Sequence, residues 1–147
     1  MRLTEEARNL DLADRYLNAH SSKYMIKAGE IDKAHETMLL FSKEIDGDKL
    51  NVHEMAQNWF EWHCARAFMR QKDYRKSLKQ LDYMVGHVEN MQKDIVDFFW
   101  CAMKRVNMAT YCESQETREN IHQGKWPVKA CIELLRLLAR MRRDVDV

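Results

Sequence analysis

Two trios of residues in this chain have the types and the spacing to bind an anion. They are His20, Lys23 and Lys27, and, 43 positions later, His63, Arg66 and Arg70. Within each trio the members lie three, four or seven residues apart, which puts their side chains on one face of an α-helix. Guanidinium forks and ammonium point charges grip phosphate or carboxylate oxygens. Other chemistry finds less support. The stretch "WFEWHCARAF" (59–68) holds a histidine beside a cysteine, but on a helix His63 and Cys64 point about 100° apart, a poor chelating geometry. The chain has no CxxC pair, no glycine-rich phosphate loop and no GxSxG elbow. Carboxylate pairs such as Glu5-Glu6 fall at an exposed helix start, so no acid/base catalysis is expected of this chain.

Helices must position the two trios. Glycine occurs four times and proline once in 147 residues, and 32% of residues are charged. Good helix formers dominate, and few breakers remain for hairpins of strands. The apolar period predicts a first helix from Thr4 to Lys27, with Thr4 as N-cap and Leu10, Ala13, Leu17, Ser21, Tyr24 and Met25 facing inward. Further helices are expected over 31–45, 51–70 (opened by an Asn51/Glu54 capping box), 74–90 and from Asp94 through "DIVDFFWCAMKRVNMATYCE". A short helix is expected within 114–123, and a final one after Gly124, with Pro127 in its first turn. "DGDKL" (46–50) reads as a polar loop.

The shift of 43 that relates the trios relates much else. It lays Tyr16 on Trp59, Leu17 on Phe60, Ser22 on Ala65, Ile31 on Tyr74, Lys33 on Lys76, Ala34 on Ser77 and Met38 on Leu81. The small residues (Ser22 and Ala34, Ala65 and Ser77) let the two helices of a hairpin approach closely. Met25, Phe68, Met38 and Leu81 fill the space around them. Phe60, Cys64 and Phe68, with Trp59 and Ala67 beside them, are expected core. Trp62, His63, Arg66 and Arg70 fall on another part of the helix. The pattern resembles a tetratricopeptide repeat with a longer period. The expected fold is all-α: antiparallel helical hairpins stacked as an α-solenoid. The expected organisation is a single domain over 1–147, with hairpins at 4–45 and 51–90 and a third hairpin with terminal helix at 94–143.

Net charge is +1, so no global field draws the chain to nucleic acid or membrane. The four cysteines, at 64, 101, 112 and 131, lie in apolar helical patterns and read as buried reduced thiols of a cytoplasmic protein. The basic run Arg136, Arg140, Arg142 and Arg143 suits the negative end of a last helix.

The segment "LDLADRYLNAHSSKYMIKAGEIDKAHETMLLFSKE" (10–44) resembles the auxiliary subunit family of the N-terminal acetyltransferase A complex. "NVHEMAQNWFEWHCARAFMRQKDYRKSLKQL" (51–81) and "DFFWCAMKR" (97–105) are similar to it as well. Family members are several times longer, so an excised fragment or a shortened relative is expected. The resemblance implies a non-catalytic scaffold that holds the catalytic acetyltransferase subunit and works at the ribosome through the full-length protein. It also implies an inositol polyphosphate, such as inositol hexakisphosphate, as a structural ligand rather than a cofactor of this chain. The match carries Lys23, Tyr24 and Lys27 into that ligand site. His20 departs from a frequent family lysine, and Arg66 and Arg70 enter through the repeat. Two other readings stand beside this one. The first is an interaction module that holds an acidic peptide in the groove. The second is an RNA-binding helical repeat, for which no consistent base-reading positions recur, since Ala19 pairs with Trp62.

Overall fold

The computed structural model describes residues 2–42, 44, 45, 48, 49, 52–105 and 108–145, with side-chain environments for 2–42, 52–93, 109–113 and 115–144. The chain divides into two compact units, Met1–Gln80 and Leu81–Val147.

The first unit begins with helix α1 (Arg2–Leu10) and helix α2 (Arg15–Ala28). The sequence pattern predicts one helix here. Asp11 and Asp14 break it, because their carboxylates bind backbone N–H groups locally. Asp11 accepts from Ala13 N at 3.0 Å, and Asp14 caps α2 by accepting from Tyr16 N at 2.7 Å and Leu17 N at 3.2 Å. Thr4 therefore lies inside α1 rather than capping it, and Leu10, expected inside, is 89% exposed. Ala13 is exposed too, while Ser21 and Met25 are buried as expected. Ser21 Oγ donates to Glu5 Oε2 at 2.7 Å, which fastens α1 to α2, and within α1 Arg8 donates to Glu5 Oε1 at 2.7 Å. The Arg8 bond is the main cause that holds the Glu5 carboxyl below its usual range.

Helix α3 (Ile31–Leu39) ends six residues before the predicted 45. A short antiparallel pair, β1 (Glu44–Ile45) and β2 (Asp48–Lys49), follows. The Asn51 cap and most of "DGDKL" lie outside the described residues. Where a helix was expected from 51, the chain makes a 3-10 turn, Val52–Met55, and Ala56 at φ 49° turns it into α4 (Asn58–Arg70). Helix α5 (Tyr74–Arg105) replaces the two helices predicted over 74–90 and from 94. Nothing in 91–93 is a strong breaker, so propagation continues through it.

The hairpin logic of the repeat appears in detail. Ser22, Ala34, Ala65 and Ser77 are all 0% exposed, as close helix approach requires. Ser77 Oγ donates across its hairpin to Ala65 O at 2.9 Å, and Ser22 Oγ turns back to Asn18 O. Met25, Ile26, Ile31, Ala34, Met38, Val52, Phe60, Cys64 and Ala67 form one apolar core, with Trp59 and Phe68 partly buried against it. Leu81, a residue of the second unit, is also buried.

In the second unit, α6 (Met108–Glu119) joins the end of the helix predicted from Asp94 to part of the short helix expected within 114–123, and a 3-10 turn, Ile121–Gln123, follows. Gly124 ends the turn, and α7 (Lys125–Val145) starts with Pro127 in its first turn, as predicted. Met84, Ile121, Ala130 and Leu137 are buried. Cys112 and Cys131 are exposed, contrary to the expectation that all the cysteines are buried; each sits on the outer side of its helix. The side chain of Cys101 lies outside the described residues.

Candidate anion-binding face of the paired hairpins

On α2, Tyr16, His20 and Tyr24 stand one turn apart. Tyr16 and His20 stack with ring centroids 5.2 Å apart, His20 meets Tyr24 edge-on at 5.3 Å, and Lys27 Nζ sits 4.9 Å over the Tyr24 ring. Lys23, one residue past the fully buried Ser22, is half-buried. Among the described residues, Lys23 and Lys27 take part in no ion pair.

The equivalent face of α4 repeats the theme. His63 meets Trp59 at 6.5 Å and Trp62 at 4.8 Å, and Arg66 lies 4.7 Å over the Trp62 ring. Arg66 and Arg70 are exposed. The chemistry of "WFEWHCARAF" is thereby divided. Phe60 and Cys64 are core, and burial pushes the Cys64 thiol up to about 12, which rules it out as a nucleophile at neutral pH. His63 belongs to the aromatic face.

Arg70 links the two helices. Its Nη2 approaches Ile26 O at 3.5 Å, and neighbouring Gln71 Nε2 donates to Gly29 O at 3.3 Å. Both bonds join residues close to 43 apart, so the C-terminal ends of α2 and α4 meet in matching register. Arg70 also faces the carbonyl end of α2, where a cation is favoured by the helix dipole. Of the six candidates, the structure strings His20, Tyr24 and Lys27 into one stack and brings Arg70 to the end of α2. Lys23 and Arg66 occupy equivalent steps on their own helices.

Sequence reasoning placed Tyr24 and Trp62 on this face but did not see the rings as supports for its cations, and it missed Tyr16. Tyr16, 70% exposed, and Trp62 form platforms for cations and histidines, and their i, i+4 spacing was the available signal. It also missed an interior polar link. Glu61, 1% exposed, bonds His53 Nδ1 at 3.2 Å, and the rings of His53 and His35 lie 6.1 Å apart. Burial, then the neighbouring His53, pushes the His35 imidazole down. No group of three or more metal-binding side chains occurs among the described residues. No helix among them is long and apolar enough to cross a membrane.

Comparison with known proteins gives this architecture a family. The family model for the auxiliary subunit of N-terminal acetyltransferase A matches residues 1–143. The chain is 30% identical over 140 residues to the N-terminal acetyltransferase A complex auxiliary subunit NAA15 of Arabidopsis thaliana, covering 95% of this chain and 15% of that protein. It is 26% identical to the human N-alpha-acetyltransferase 16, NatA auxiliary subunit, over 93% of this chain and 16% of the relative. A mouse NatA auxiliary subunit of the same name is 33% identical over 73% of this chain and 12% of its own length. Among solved structures, a chain from the structure of Naa15/Naa10 bound to HypK-THB aligns with TM-score 0.85 and 25% identity, over 95% of this chain and 21% of that one. The chain thus spans about a sixth or less of the curated relatives it matches. It belongs to the family of N-terminal acetyltransferase A auxiliary subunits.

Proposed function

We propose that this chain is a non-catalytic scaffold segment that holds the catalytic subunit of an N-terminal acetyltransferase complex. The likeness to a structure containing Naa15 and Naa10, at TM-score 0.85 over 95% of the chain, carries the reading. The helices supply a stacked framework, and acetyl transfer is the partner's chemistry. Ribosome association and a cytoplasmic setting belong to the same proposal and rest on the family resemblance alone. Co-expressing the chain with the catalytic subunit and purifying on a tag placed on one of them tests it. Retention of the partner is expected, and no acetyl transfer by the chain alone. A partner that elutes separately contradicts the reading.

The aromatic and basic face is the proposed ligand site, and an inositol polyphosphate, with inositol hexakisphosphate as the reference compound, is its proposed occupant. Support comes from the recurrence of His20/His63 and Lys23/Arg66 on two helices tied in register by Arg70 and Gln71. Permanent cations at those steps bring positive charge toward one polyanion. An acidic peptide is the competing occupant. A peptide that displaces the polyphosphate completely at equal concentration would favour it.

A further inference from the structure

Helix α7 has two apolar sides, and only one of them is buried. Ala130, Glu133 and Leu137 are buried, with the Glu133 carboxylate held by Arg136 at 2.7 Å. Elsewhere on the helix Val128 is 42% exposed, Ile132 43%, Leu135 68% and Leu138 52%. At about 100° per residue, Val128, Ile132 and Leu135 centre on the direction opposite Leu137. They make a narrow strip about two turns long. Lys125, Lys129, Arg136, Arg140 and Arg143 run along one edge of it, at steps of three, four and seven residues. The acids of α7 are Glu133, which is buried, and Asp144.

We propose that this outer face of α7 docks an acidic amphipathic helix of a partner protein. Leu135 and its neighbours would meet the partner's apolar side, and the basic edge its carboxylates. A strip of i, i+4, i+7 spacing is the shape a second helix packs against. Charge selects the kind of helix. A second copy of this chain brings another basic row and, beyond Asp144, no exposed carboxylate of α7 to meet it. An acidic helix satisfies the apolar strip and the cationic edge together, and like-charge partners are rejected.

The test uses the 147-residue chain and two labelled synthetic helical peptides with the same leucine pattern, one glutamate-rich and one lysine-rich, followed by fluorescence anisotropy. The glutamate peptide binds and the lysine peptide does not. Leu135→Asp, at an exposed site that leaves the fold intact by circular dichroism, weakens binding about tenfold or more. Arg140→Glu/Arg143→Glu narrows or reverses the preference between the peptides. Equal binding of both peptides, no binding of either, or indifference to Leu135→Asp overturns the proposal. So does a dimer in sedimentation that Leu135→Asp dissolves, which would make the occupant a second copy. Retention on phosphatidylserine vesicles that the glutamate peptide fails to compete also overturns it.

Discussion

The two hairpin turns of the first unit solve the same geometric problem with different residues. In the first, Gly29 takes the left-handed position at φ 93°, and Glu30 N donates to Met25 O at 3.0 Å. In the second, 43 residues on, Lys72 takes that position at φ 61°, and Asp73 N donates to Phe68 O at 3.0 Å. The backbone turn is the same, but a left-handed lysine carries a steric strain that glycine avoids. The caps differ in the opposite sense. Asp73 accepts from Lys76 N at 3.0 Å, whereas Glu30 makes no side-chain cap bond to α3. Each hairpin has one favourable residue where the other has a poor one. The fold is therefore specified by register and small-residue contacts, and the turn residues adjust stability around it.

The comparison is most severely tested where both copies are closed. Ala34→Leu and Ala65→Leu each force a large side chain into a fully buried contact. Each is expected to destabilise by about 1–3 kcal/mol, or to prevent folding, in urea denaturation. A tolerated leucine at either site would show that the helices do not approach there.

Next come the turn residues. Gly29→Ala is expected to cost about 1 kcal/mol, and Lys72→Gly to gain a fraction of that, because strain relief is offset by unfolded-chain entropy. Thermal unfolding reads both, and opposite signs are the signature. Smaller still is the cap exchange. Glu30→Asp should stabilise by about 0.5 kcal/mol, while Asp73→Ala lowers the unfolding temperature. The Asp73 carboxyl is held below its usual range chiefly by the backbone bond to Lys76. Its contribution is present above the unfolded value and is lost as pH falls through the folded one.

A pH effect separates the copies as well. His35 of the first hairpin is pushed down by burial, and its counterpart in the second is Leu78. Since the folded state resists its protonation, stability should decline as pH drops below the ordinary imidazole value of about 6.5. His35→Leu should flatten that decline over about pH 5 to 7.

The repeat was legible in the sequence because it rests on size and spacing. Ser22, Ala34, Ala65 and Ser77 could be named from a shift of 43 alone, and all four are fully buried. Phe60 and Cys64 were legible as core by period. The break at Asp11–Asp14 was not, because the apolar pattern runs through it and only the local hydrogen bonds of two aspartates stop the helix. The link from Arg70 to Ile26 O was invisible for another reason. It joins a side chain to a backbone carbonyl of another helix, which no residue type announces. The buried Glu61 on His53 was hidden among aromatics whose period already explained the stretch.

Calorimetric titration of inositol hexakisphosphate into the chain co-purified with the proposed catalytic partner tests the central claim most directly. Two hairpins in matching register should give one saturable site, abolished together by Lys23→Glu and Arg66→Glu although they lie on different helices. Full binding with either reversal would mean that α2 and α4 do not serve one ligand.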